Sequence, residues 1–390
     1  MIWIFCIGLL SAATLAAECN ATRGLDHFYN LEYDSAIVEF ERCVAERPGS
    51  PEAHNLVAQG LLFREMYRVG ALESELVTGA NSFLRRPKMT PSPEVQAHFD
   101  RSIQTVMDLT GPRIEQNPKD TEALYARGVA FGLRANYNFL VKKAWRAALS
   151  DATDGRKLHN KVSEVQPGNY DARLVQGIHD YVVGSLPWGV RLLGFLIGFN
   201  GDREKGIQTL REVALKGDRN KVDAEIFLCA LYRREKKPKE ALPLLEDLVN
   251  RFPRNYLLRF EQAQMYSDIG DKTKAIAAIE RVAEMKRSGA SGFADLPWEK
   301  IFFRLGTVQF WYRDYPAALD NMKKVTAGGD KLDLNTGSTA WMRMGQIYDL
   351  TSRREEAVDA YKKAISFAPE AEAAKESRRY LDSPYQRKKA

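Results

Sequence analysis

The stretch Trp341-Met342-Arg343-Met344-Gly345-Gln346-Ile347-Tyr348, followed by Ala357, Tyr361, Ala364 and Pro369, decides the fold. Its first half spaces Trp341, Met344, Gly345 and Tyr348 along one face of a helix. The second half repeats the device as small, large, small, and the proline then stops the helix. Small residues let two helices approach, and large ones fill the holes left by their neighbours. The pattern recurs upstream. Cys229, Tyr232, Ala241, Leu245, Leu248 and Pro253 fill the same slots, as do Ala263, Tyr266, Ala275, Ile279 and Val282, with Gly270 at the turn. A third set is Leu305, Gly306, Ala318, Met322 and Val325. The small residues Ala241, Ala275, Ala318 and Ala357 stand 34, 43 and 39 residues apart, the excess falling in polar loops around 286–297 and 327–337. Gly24, Ala36, Phe40, Cys43 and Pro48 fit one more unit; Pro118, Leu124, Gly128 and Phe131 open another, whose second helix should end before Pro167.

A four-fold recurrence in constant order resembles the tetratricopeptide repeat. It implies an all-α, right-handed, tetratricopeptide-like helical-hairpin solenoid. The expected organisation is a signal peptide over 1–17, a degenerate helical region over 18–220, four regular units over 221–370, and a capping helix with a basic tail over 371–390. Between 181 and 199 lies an unusual apolar island with Pro187, Arg191 and four glycines. The proline splits it and the arginine penalises a membrane span, so a buried hairpin is favoured over an apolar contact surface. Leu186-Pro187-Trp188-Gly189, Leu192-Leu193-Gly194-Phe195 and Gly198-Phe199-Asn200-Gly201-Asp202-Arg203-Glu204, with Gly206 and Leu210, resemble the central segment of the Iml2/TTC39-like tetratricopeptide proteins. That resemblance implies a repeat fold and an adaptor character, and it carries over no catalytic residue. Asp202 is a candidate helix N-cap.

Residues 2–10 form an apolar run followed by small residues to Ala17, the shape of a secretory signal peptide cleaved after Ala16 or Ala17. It lacks Lys or Arg before the apolar run, which leaves an uncleaved anchor as the alternative. Glu18 before Cys19 argues against lipidation. The expected location is the periplasm or cell envelope. Of four cysteines, three follow residue 17. Residues 20–30 and 34–46 read as helices either side of a turn near Leu31, and Cys19 and Cys43 lie symmetrically about it. A Cys19–Cys43 disulfide is therefore expected, with two unpaired thiols as the alternative. Cys229 reads as a buried thiol.

The 390 residues are 45% hydrophobic and 28% charged, with a net charge of +6 spread along the chain, a composition that excludes wholesale disorder and lacks the concentrated basic stripe of a dedicated nucleic-acid binder. No phosphate loop, dinucleotide fingerprint, nucleophile elbow or His/Cys metal spacing occurs. No catalytic residue, cofactor or metal is expected. The remaining reading is an exported, non-enzymatic scaffold that binds a protein or peptide and no nucleic acid. Groove-facing offsets of the repeat select Arg233, Arg234, Phe260, Gln264, Phe303, Thr307, Met342 and Gln346, with inter-repeat core or a solvated face as the plainer alternative for each. The second reading is a membrane-associated or apolar-ligand component that uses Val183, Leu186, Trp188, Leu193 and Leu196.

Overall fold

A computed structural model describes residues 21–72, 88–186 and 200–387. Among these the chain is all-α, with seventeen α-helices and no strand. Two compact units are distinguished: residues 1–28, 32–65 and 89–158, and residues 29–31, 66–88 and 159–390.

The first unit holds α1 (Ala21–Tyr29), α2 (Tyr33–Glu46), α3 (Pro51–Arg68), α4 (Pro93–Gln116), α5 (Thr121–Tyr137) and most of α6 (Trp145–Val165). A π-turn, Asn138–Lys142, links α5 to α6. Here Arg134 forks onto Asp151 at 3.0 and 2.7 Å, and Asn138 Nδ2 donates to the same carboxylate at 2.8 Å. The buried carboxylate is thus paired and hydrogen-bonded, as burial of a charge requires. Gly155 lets α6 lie against the Gly128 carbonyl and Phe131 of α5.

The second unit contains α7 (Arg173–Gly184), α8 (Arg203–Lys216), α9 (Lys221–Arg234), α10 (Pro238–Arg251), α11 (Tyr256–Asp268), α12 (Lys272–Arg287), α13 (Trp298–Trp311), α14 (Tyr315–Thr326), α15 (Leu334–Leu350), α16 (Arg354–Phe367) and α17 (Glu372–Asp382). Consecutive helices pack on one another. Residue 220 separates two helices of this one unit. The pair α7/α8 carries the repeat slots as Gly177 and Tyr181, then Gly206, Leu210 and Val213. A Cβ on Gly206 would meet the Tyr181 backbone, so that hairpin closes only around glycine. Several helices are capped as their sequences favour: Asp202, Asn255, Asp271 and Asp333 each accept a hydrogen bond from the backbone N–H three residues on.

The turns inside the hairpins obey one geometry. Leu31, Lys236, Gly270, Arg313 and Ser352 all have positive φ, between 55° and 89°. Each precedes the small residue of its second helix by five positions. In each, the next N–H reaches back to a carbonyl five residues earlier: Glu32 to His27, Lys237 to Tyr232, Asp271 to Tyr266, Asp314 to Gln309 and Arg353 to Tyr348, at 2.7–2.9 Å. This is a Schellman closure, in which a left-handed residue satisfies the last carbonyls of the first helix and aims the chain into the second. Only Gly270 of the five is glycine, so four turns hold a side chain in a conformation that costs it ~1–2 kcal/mol.

Two titratable groups are shifted in opposite directions. Burial pushes the Asp223 carboxyl on α9 up to about 7; Asp171 adds to the rise and a hydrogen bond with Tyr29 opposes it. Burial alone pushes His159 down to about 4. His159 fills the large slot of α6, between Gly155 and Val162, and is 2% exposed.

Lys236→Gly, Arg313→Gly and Ser352→Gly should each raise stability in urea unfolding by roughly 0.5–1 kcal/mol, because relief of the left-handed strain exceeds the added chain entropy. Unchanged or lowered midpoints would contradict the strained-turn account. The titrations give a second expectation. Between about 4 and 7 the folded chain holds a proton on Asp223 that the unfolded chain has released, so stability falls as pH rises. Between about 4 and 6.5 the unfolded chain holds a proton that folded His159 lacks, so stability falls as pH drops. Relative to wild type, Asp223→Asn should gain stability with rising pH, and His159→Leu with falling pH. Difference profiles of the same sign would refute the assignment.

Candidate functional site

The first helices α9, α11, α13 and α15 share one face, and guanidinium groups tie it together. Arg233 of α9 donates to both oxygens of Glu261 of α11 at 2.9 Å. Both side chains are 13% exposed. Arg304 of α13 lies over the Phe260 ring of α11 at 5.4 Å. Arg343 of α15 lies over the Phe310 ring of α13 at 4.1 Å and near Trp311 at 5.2 Å. A planar guanidinium is suited to this use, since it stacks on aromatic faces and tolerates partial burial better than an ammonium. Burial pushes Arg343 down to about 10. Tyr312 adds a bond from its hydroxyl to the Ser267 carbonyl at 3.0 Å.

Not all of the groove candidates reach the surface. Phe260, Met342 and Gln346 are 4%, 6% and 2% exposed. Phe260 packs among Tyr256, Ile279 and Phe293, with Arg304 above it. Met342 belongs to the core of α14, α15 and α16. Gln346 accepts from Arg343 Nη1 at 2.7 Å and meets the Tyr380 hydroxyl of α17. The physical reason is coverage: α17 packs on both α15 and α16, so the α15 face that the repeat offsets select is closed. Phe303 is half-buried against the same core. Arg233 is committed to Glu261. Arg234 is exposed, with its guanidinium 5.8 Å from the Tyr181 ring. Gln264 donates to Asp268 at 2.7 Å and Thr307 is partly exposed. The open part of the face is thus Arg234, Gln264, Thr307 and, beyond the sequence-based selection, Trp311 at 53% exposure.

Residues 383–387, which follow α17, lie against the first-helix face. The Tyr385 N–H donates to Asp349 Oδ2 at 2.7 Å, and its ring packs near Phe310 and Tyr380. Arg387 Nη2 donates to the Phe310 and Trp311 carbonyls at 2.7 and 3.0 Å. Asp349 is itself held by Arg354 at 2.9 Å and by the Tyr361 hydroxyl at 2.8 Å. A signal was present in the sequence: Pro384-Tyr385 and Arg387 put an aromatic and a cation on a stretch that cannot continue a helix.

Of the apolar candidates, Val183 is buried at the turn beside Gly201, because a Cβ on Gly201 would meet it. It is therefore packing and not a contact surface. Leu186 is exposed, as is Val182. Trp188, Leu193 and Leu196 lie outside the described residues. No helix among the described residues is long and apolar enough to cross a membrane. Those residues also hold no cluster of His, Cys, Asp or Glu arranged for a metal. Cys229 is a buried free thiol whose ionisation burial opposes. Cys43 is fully buried and disulfide-bonded; the cysteine expected to pair with it, Cys19, lies outside the described residues.

Comparison with known proteins accords with the geometry. Residues 172–323 match the family model described as Iml2/Tetratricopeptide repeat protein 39, and residues 338–370 match a tetratricopeptide repeat model. No curated protein matches the chain. Among solved structures, the chain is similar to the APC/C hetero-tetramer Cut9-Hcn1, with 13% identity, 93% of this chain and 70% of that chain covered, and a TM-score of 0.42. It is also similar to yeast Tom70, with 13% identity, 93% and 94% coverage and a TM-score of 0.39. Human IFIT1 with m7Gppp-AAAA gives 14% identity, 93% and 83% coverage and a TM-score of 0.44. This chain is an all-α, tetratricopeptide-like solenoid that carries an Iml2/tetratricopeptide repeat protein 39 domain over residues 172–323 and a further tetratricopeptide repeat over 338–370.

Proposed function

We propose that the protein is a non-enzymatic scaffold that binds a protein or peptide partner on its first-helix face, and that it works outside the cytoplasm. The observation that carries the first part is the face itself: a row of first helices held by Arg233–Glu261, Arg304–Phe260 and Arg343–Phe310, with Arg234, Gln264, Thr307 and Trp311 open. Solenoids of this type bury their core between neighbouring hairpins and leave such faces available for ligands. Large aromatics and arginines are the residues from which binding hot spots are built. The apolar run 2–10 and the disulfide-bonded Cys43 support export, since disulfides persist in oxidising compartments. In this reading Cys19 is the partner of Cys43.

A second reading is favoured by one observation. Val182 and Leu186 stand exposed at the end of α7, next to the apolar run 187–199. Such an exposed patch fits a membrane surface or an apolar ligand.

Affinity capture separates the two. Wild-type protein should retain a partner set that Arg234→Glu/Trp311→Ala loses, while Val182→Glu/Leu186→Glu keeps it. Loss only in the second variant, together with flotation of the wild type on liposomes, would move the function to the apolar patch. For export, intact mass of the native protein should show loss of the first 16 or 17 residues and one Cys19–Cys43 bridge. A retained leader with Cys19 freely alkylated would overturn that part.

A further inference from the structure

The segment 383–387 behaves as a ligand of its own chain. It is extended where it leaves α17: Ser383 has φ −130° and ψ 115°, the conformation that a following proline imposes. Beyond Pro384 it forms no regular structure. It is fixed at two points, Tyr385 and Arg387, which are half-buried, while Pro384 and Gln386 between and before them are exposed. That alternation is how an extended peptide is read by a groove.

The receiving surface presents acceptors and aromatic faces. Asp349 Oδ2 takes the Tyr385 N–H. The carbonyls of Phe310 and Trp311 end α13, where the helix dipole favours a cation. The rings of Phe310, Trp311 and Tyr315 lie 5.0, 5.6 and 6.0 Å from the Arg387 guanidinium. Tyr385 packs into the small apolar cluster of Phe310, Ala318 and Ile347. The segment thus brings an N–H to Asp349, a cation to two helix-terminal carbonyls and their neighbouring rings, and an aromatic ring to the apolar cluster.

The hold is also built to be exchangeable. Among the described residues Arg387 has two carbonyls as acceptors and no carboxylate, and Asp349 is engaged by Arg354 and Tyr361. Arg343 lies over the same Phe310 ring, and its charge and that of Arg387 repel. Two guanidiniums on one ring weaken each other's stacking.

Resting on the scaffold reading, we propose that the Phe310–Trp311–Tyr315–Asp349 surface is the docking site for an extended partner segment carrying an aromatic residue two positions before an arginine. The chain's own Tyr385-Gln386-Arg387 occupies this site until the partner displaces it. Tethering gives the internal segment a high effective concentration, so a free peptide competes poorly until the internal one is removed.

The test uses the full chain and a labelled synthetic peptide spanning residues 381–390. Tyr385→Ala/Arg387→Ala protein should bind the peptide at least about tenfold more tightly than wild-type protein. Adding Trp311→Ala, or replacing the arginine of the peptide by alanine, should each reverse most of that gain. Equal binding by wild-type and Tyr385→Ala/Arg387→Ala protein overturns the proposal, as does equal binding of a scrambled peptide. If the double substitution abolishes the helical spectrum, the segment is an integral strap and not an occupant, which also overturns it. No cellular partner is needed, so a failure here leaves the broader scaffold reading to the capture experiment.

Discussion

The structure depends on how closely the two helices of each hairpin approach. At Gly345 the approach leaves no room for a Cβ, which would be driven into the ring of Tyr361 on the partner helix. Tyr361 is fully buried and its hydroxyl binds Asp349. One missing methyl group thus sets the spacing of α15 and α16, and with it the position of the carboxylate that receives Tyr385. Gly24 against Phe40, and Gly306 against Met322, repeat the arrangement with other partners. Interiors are packed densely enough that such spacing is a discrete choice and not a tolerance.

Turn geometry and packing reinforce each other. The left-handed residue stands five positions before the small residue of the second helix in every hairpin from α1/α2 to α15/α16 for which it occurs. The turn therefore fixes which face of the second helix meets the first. Loops between these hairpins are free of this constraint, so the spacing from one of them to the next varies while the spacing across a left-handed turn does not. Insertions at 286–297 and 327–337 lengthen the chain without disturbing a single small–large contact.

Much of the fold was legible because its signal is periodic. Ala241, Ala275, Ala318 and Ala357 mark second helices by their place in a pattern, and all four are fully buried. The hairpin α7/α8 was harder to read, because its slots are glycine at both close approaches and a long apolar insertion separates its helices. His159 in a large apolar slot disguised α6 in the same way. The binding face was less legible than the fold. Repeat offsets locate which side of a first helix faces outward, but not what later elements cover. Met342 and Gln346 are closed over by α17, and Phe260 by Arg304, contacts that join residues far apart in sequence. The docked segment was illegible for the opposite reason: five residues have no periodicity, and the aromatic and cation that follow Pro384 do not say which surface receives them until they stand beside Phe310 and Asp349.

Thermal unfolding of Gly345→Leu, beside a surface control such as Lys375→Leu, tests this account most directly. If the helix–helix approach at Gly345 sets the array, the glycine variant should lose on the order of 2–3 kcal/mol or more, as overpacking of a dense core does, while the control stays near wild type. A Gly345→Leu protein that unfolds at the wild-type temperature, with its near-ultraviolet aromatic spectrum intact, would contradict the claim that this contact sets the fold.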